Sequence, residues 1–198
     1  MIINGDLFEN TEHRLDKSHW GILSKLRKMS NDMEIVWCQG NHDYPDAETI
    51  AHLCGINLVN YYIFNDYGNS ILCVHGDEWD KFLTDWPTLT NIANWFYRVL
   101  QRIDKSHNWA KFAKRHSKTF MRCVDKVKDG AVELAIKLNC NVVITGHTHY
   151  KGHYIFSNNH IHYFNCGCWT ELPCSFMKID NPDKYTWLKS FNYKQDSK

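Results

Sequence analysis

A chain of 198 residues, 43% of them hydrophobic, is long enough to bury one sizeable core and gives no reason to expect a second. No run approaches the roughly 18 consecutive apolar residues of a spanning helix, and the start lacks a basic stretch followed by a long apolar one. A cytoplasmic protein is therefore expected, with no transmembrane segment. The formal net charge of +1 hides a segregation, because residues 98–128 carry ten Lys or Arg against Asp104 and Asp125 alone. A basic face of that kind concentrates anionic ligands near it.

In chain order, short apolar runs alternate with amphipathic ones. The pattern predicts a strand at Ile2–Asn4, a helix near Asp16–Met29, a strand at Glu34–Cys38 and a short helix near Asp46–Leu53. Three strands follow, near Ile56–Val59, Tyr61–Asn65 and Ser70–His75. A long helical section over about Thr88–Leu138 is interrupted near Lys105–Asn108. Strands return at Asn141–Thr145, His153–Ser157, His160–Asn165 and Ser175–Asp180, with Ser157–Asn159 as a hairpin turn. Early strand–helix alternation and late hairpins suggest an α/β sandwich of mixed sheets, in one domain spanning 1–198. The eight cysteines include no Cys-x-x-Cys pair, and Cys38, Cys73 and Cys140 sit in or beside apolar runs, so they read as reduced core thiols.

Four of the apolar runs end in glycine-flanked polar clusters: Asn4-Gly5-Asp6, Gly40-Asn41-His42-Asp43, His75-Gly76-Asp77 and Gly146-His147-Thr148-His149. Ligands in open α/β sheets gather beyond the carboxyl ends of strands, so four such ends in one sheet would bring these side chains together. Glycine permits the tight turn that presents carboxylate, amide and imidazole to one point. Oxygen and imidazole donors without thiolate suit Mn²⁺, Fe²⁺ or Zn²⁺. A lone Gly-Asp or His-Gly-Asp is most often an ordinary turn; the four clusters together point to a metal centre.

In these motifs the sequence resembles the calcineurin-like metallophosphoesterase superfamily. The resemblance implies an αββα sandwich with a helical cap inserted at about 88–138. It also implies two divalent ions, Mn²⁺ first among the candidates, that activate water and clamp phosphoryl oxygens. By motif, Asp6 is the bridge, Asn41, His75 and His147 complete one site, and His149 belongs to the other. His42 then stands beside the scissile phosphate as the catalytic group, with Asp43 orienting its imidazole. Gly5-Asp6-Leu7-Phe8-Glu9, His75-Gly76-Asp77-Glu78-Trp79-Asp80 and the insertion are similar to the UDP-2,3-diacylglucosamine diphosphatase branch. The chain departs from that pattern in one respect. The Asp-x-His strand that the superfamily carries ahead of Gly-Asp is not present, so the first strand is expected to be missing, and only one metal site is expected to be well formed.

The implied function is hydrolysis of a phosphate ester or diphosphate, on a phosphorylated small molecule or lipid-linked nucleotide. Two alternatives stay open: a phosphodiesterase or nuclease on nucleic acid, and a catalytically impaired metal-binding or scaffold homologue. The basic section reads first as an amphipathic helix pair with aromatics inward, next as a cap whose Lys111, Lys114 and Arg115 recruit an anionic substrate, and last as a nucleic-acid surface. Such a cap would also allow peripheral contact with a membrane surface. His160 and His162, two apart in a strand, share a face and read as strand packing rather than as metal ligands.

Overall fold

The computed structural model describes residues 1–8, 15–80, 118–170, 174–179 and 189–191. The chain divides into two compact units, Met1–Asp77 with Ala131–Lys198, and Glu78–Gly130. The expected helical insertion lies mostly outside the described residues, and its described part begins at Lys118.

The first unit opens with β1 (Ile2–Asn4), α1 (Lys17–Met29), β2 (Val36–Cys38), α2 (Ala47–Cys54) and β3 (Asn57–Val59). These strands form a parallel sheet in the order β1–β2–β3, with Asn4 opposite Cys38 and Cys38 opposite Val59. Helix α1 begins where the Asp16 carboxylate accepts from the backbone N–H groups of Ser18 at 2.9 Å and His19 at 3.0 Å. Helix α2 ends at Gly55, whose φ of 65° is the left-handed turn that closes a helix. Leu23 and Leu26 of α1 and Ala47, Ala51 and Cys54 of α2 recur at helical spacing and pack with Ile35, Trp37 and Ile56 into one apolar cluster.

The second sheet is mixed. It contains β4 (Tyr61–Asp66), β5 (Asn69–Val74), β6 (Val142–Thr145), β7 (Gly152–Phe156) and β8 (Ile161–Asn165), in the order β4–β5–β6–β8–β7. The β4–β5 hairpin turns on Tyr67 and Gly68, both at positive φ (47° and 77°), as a two-residue loop matched to strand twist requires. β5, β6 and β8 run parallel, so the loops after all three leave the same end. Helix α3 (Lys118–Lys137) precedes β6. A further antiparallel pair joins β9 (Cys174–Phe176) to β10 (Lys189–Phe191).

A second apolar cluster takes residues from both sheets: Cys38 with Ile2 and Val59 from the parallel sheet, and Ile71, Cys73, Val142, Ile144 and Phe164 from the mixed one. Leu72, Val143 and Tyr163 alternate with these along their strands, so they face the opposite side, and they are equally buried. A sheet covered on both faces follows, in the mixed α/β arrangement expected of the fold. Fully buried strands such as Val142–Thr145 reflect that two-sided burial. No helix among the described residues is long and apolar enough to cross a membrane.

Candidate metal centre

The site is assembled by backbone register before any side chain acts. β1 and β2 pair in parallel up to Asn4 and Cys38, so the Gly5-Asp6 and Gly40-Asn41-His42-Asp43 loops leave the same edge. β5 and β6 pair in parallel, and Gly146 N–H donates to the His75 carbonyl at 3.0 Å, which ties the loops at the ends of those two strands. A hydrogen bond of 2.9 Å from His75 Nδ1 to the Asn4 carbonyl then connects the two sheets.

Glycine makes the approach possible. A Cβ on Gly5 would fall on the His75 ring, one on Gly40 would lie 2.6 Å from the Asp6 backbone nitrogen, and one on Gly146 would lie 2.9 Å from the Asn4 carbonyl oxygen. Gly5 also adopts φ 79°, where other residues are strained. Three ligand candidates themselves sit in the left-handed region, Asp6 at φ 51°, His147 at 54° and His149 at 58°. Such conformations in non-glycine residues cluster at functional sites.

Asp6, His75 and His147 each offer a ligand atom, and the three atoms lie within 4.8 Å of one another. The imidazoles of His75 and His147 meet edge to face, with centroids 5.3 Å apart. Because His75 Nδ1 faces a carbonyl and must donate, Nε2 carries the lone pair when the ring is neutral. That Nε2 is fully buried and makes no hydrogen bond, although it lies only 3.2 Å from Asp6 Oδ2. Two acceptors at that separation repel unless a proton or a cation lies between them. An imidazole and a carboxylate so placed are close enough for one divalent ion to touch both, so the residues present fit a metal.

Electrostatics agree with this pairing. Burial acts against the charge on Asp6, but His75 and then the His42 backbone N–H at 3.1 Å outweigh it and hold the carboxyl below its ordinary value. Burial likewise acts against an imidazolium at His75, and Asp6 beside it raises the ring above its ordinary value.

Asn41 and His42 are exposed on the turn after β2, and the His42 backbone reaches Asp6. His149 is half-buried and is not one of the three converging ligands. Asp43, expected beside the His42 imidazole, is 1% exposed, and its carboxylate accepts four N–H groups: Asp6 N at 2.9 Å, Leu7 N at 2.8 Å, Gly40 N at 2.8 Å and Trp37 Nε1 at 3.0 Å. Burial and the neighbouring Asp6 charge push its pKa up, while donors from Gly40, Trp37 and Asp6 pull it down; the net direction is upward. Lys111, Lys114 and Arg115 lie outside the described residues.

Sequence reasoning passed over Asn165, at the end of β8. Its side-chain Nδ2 lies 3.1 Å from Thr148 Oγ1 and 3.2 Å from Thr145 Oγ1 and also donates to the Gly146 carbonyl, so it braces the loop that carries His147. The available signal was positional, since Asn165 ends an apolar strand next to β6 as the other polar clusters end theirs.

The profile of the calcineurin-like phosphoesterase family matches residues 1–151. No curated protein sequence matches the chain. Among solved structures, similar ones include a predicted phosphoesterase from Streptococcus pneumoniae, at 15% identity and a TM-score of 0.39, covering 96% of this chain and 79% of that one. Another is Vps29 from Entamoeba histolytica complexed with zinc, at 13% identity and a TM-score of 0.39, covering 91% of this chain and 79% of that one. An archaeal phosphodiesterase is similar at 15% identity and a TM-score of 0.42, covering 96% of each chain. At such similarity the assignment rests on the family profile, whose match spans the β1, β2, β5 and β6 loops that build the cluster. The chain belongs to the calcineurin-like phosphoesterase family.

Proposed function

We propose that this protein hydrolyses a phosphate ester or diphosphate at a divalent ion held by Asp6, His75 and His147, with Asn41 as a fourth donor. The observation that carries the reading is the convergence of ligand atoms from Asp6, His75 and His147 within 4.8 Å of one another, with the buried Nε2 of His75 3.2 Å from the Asp6 carboxylate. When bound, a divalent ion supplies Lewis acidity for a phosphoryl oxygen and lowers the pKa of water to produce a nucleophile at neutral pH. Mn²⁺ is the preferred ion, with Fe²⁺ and Zn²⁺ compatible with the same oxygen and imidazole donors. His149 and a share of Asp6 form a second, weaker position, because two donors compete poorly with hydration.

The chain's own groups divide the remaining work. His42, exposed and bound through its backbone N–H to Asp6, is assigned the donation of a proton or hydrogen bond to the leaving oxygen. Lys111, Lys114 and Arg115 attract the anionic substrate, a phosphorylated small molecule or lipid-linked nucleotide resembling UDP-2,3-diacylglucosamine.

Metal analysis after exhaustive dialysis, with a panel of phosphomonoesters, diphosphates and DNA, tests the reading. About one tightly held ion per chain and cleavage of a small phosphate ester or diphosphate are expected. In His42→Ala, turnover should fall by ~10²–10⁴-fold while the ion is retained. Cleavage of DNA alone would make the protein a nuclease, and a tightly bound ion without turnover would make it a binding protein. A chain that binds no divalent ion would remove the reading altogether.

A further inference from the structure

Asp43 raises a question that the reaction alone does not answer. A buried carboxylate is costly unless its oxygens are satisfied, and this one is satisfied by donors from two different loops and one side chain. Oδ2 accepts from Asp6 N, Gly40 N and Trp37 Nε1, and Oδ1 accepts from Leu7 N. Both backbone groups from the first loop belong to Asp6 and the residue after it. Asp6 is the ligand candidate held at φ 51°, in the left-handed region that non-glycine residues occupy sparingly. Gly40, the donor from the second loop, leaves no room for a Cβ, which would lie 2.6 Å from the same Asp6 nitrogen. Asp43 thus grips the Asp6 peptide from both sides of the loop crossing.

We infer that Asp43 is a positioning residue that presets the Asp6 carboxylate for metal, by fixing the backbone of the Gly5–Leu7 loop. This inference rests on the metal reading of Asp6, His75 and His147. It gives Asp43 a task separate from that of His42. With the loop fixed beforehand, the ion binds a site already in shape; with the loop loose, part of the binding free energy goes into ordering it. Groups that orient a metal ligand in this way typically change metal affinity by ~10–100-fold when removed.

The asymmetry of the hydrogen bonds supplies graded variants. Asp43→Ala removes all four acceptor contacts. Asp43→Asn, with its amide oxygen in the Oδ2 position, keeps three and turns an NH₂ toward Leu7 N. Trp37→Phe removes one donor from the same carboxylate and perturbs the same core, without touching Asp6 or Leu7. The metal-free chain is titrated with Co²⁺, followed by visible absorption, and with Mn²⁺ by calorimetry, and each variant's melting temperature is measured in parallel. Metal affinity is expected to fall by ~10–100-fold in Asp43→Ala, by less in Asp43→Asn and by no more than about twofold in Trp37→Phe. The Co²⁺ spectrum of Asp43→Asn should also differ from that of the unaltered protein. Wild-type affinity in both Asp43 variants overturns the inference. So does a loss of affinity that simply follows melting temperature across all three, which would make the carboxylate a structural fastener only. If Asp43→Ala fails to fold, Asp43→Asn against Trp37→Phe decides the question. A wild-type chain that takes up neither ion defeats the metal reading itself, an outcome separate from any difference among variants.

Discussion

His75 and His147 lie just past the ends of β5 and β6, whereas His153 and His162 lie within β7 and β8. Both pairs bring two imidazoles to a similar distance, with centroids 5.3 Å apart in the first and 5.5 Å in the second. The arrangements differ in kind. The first pair meets edge to face at 75° beside a carboxylate, while the second stacks at 19°, and His153 lies flat on Phe164 at 4.1 Å. In a strand the side chain stands perpendicular to the sheet, so cross-strand rings stack on whatever lies beside them. Beyond a strand, a glycine-relieved loop can take positive φ and aim its side chain at a point. Position relative to the strand end, more than residue type, separates a candidate ligand from a packed histidine.

The largest effect that could break this contrast is loss of metal. Asp6→Ala and His75→Ala should abolish tight binding of a divalent ion, while His153→Ala and His162→Ala should leave its stoichiometry unchanged. Elemental analysis after dialysis reads both, and an ion lost from the second pair of variants would erase the distinction.

A contrast between two glycines comes next in size. A Cβ at Gly40 would meet backbone 2.6 Å away and His75 Nε2 3.0 Å away, whereas nothing lies within 4 Å of one at Gly21 on α1. Gly40→Ala is therefore expected to cost ~1–3 kcal/mol through overpacking, and to weaken metal binding as Asp6 shifts. Gly21→Ala should stabilise the helix by ~0.5–1 kcal/mol. Urea unfolding measures both, and equal effects would show that the loop crossing has slack.

The smallest effect lies in the stacked pair. Burial, and then the neighbouring His162, hold the His153 pKa below its ordinary value of 6.5. A histidine with a lowered folded pKa binds fewer protons when folded, so its contribution is complete above about 6.5 and diminishes as pH falls through that value toward the folded pKa. With His153 exposed, the change should be slight. An NMR titration of His153 should give a midpoint below 6.5, and His162→Gln should move it upward. A midpoint at or above 6.5 in the unaltered protein would contradict the stacked, partly desolvated ring.

Several features of the fold were legible because they are local. Apolar runs of strand length and amphipathic runs between them place β1, α1, β2 and α2 within a residue or two of where they lie. The pairing of glycine with Asp, Asn or His after four runs also marked the loops that form the site. Asp43 shows where this stops. Its motif pointed to the His42 ring next to it, while its contacts with the Asp6 and Leu7 N–H groups, 37 and 36 residues away in sequence, are recorded by no local pattern. Asn165 was passed over for the same reason, its partners being 17 to 20 residues upstream.

What the sequence determined by itself is the set of donors: one carboxylate, several imidazoles and an amide, each at the end of an apolar run with a glycine to turn on. Which of them meet was decided by tertiary structure. The parallel register of β1 with β2 and of β5 with β6 sets the strand ends level, and the His75–Asn4 hydrogen bond joins the two sheets there. Strand pairing is a long-range choice made by burying both faces of the mixed sheet and one apolar cluster between the sheets. The physical reason is that a motif specifies chemistry within a few residues, whereas convergence within 4.8 Å depends on contacts 71 residues and more apart.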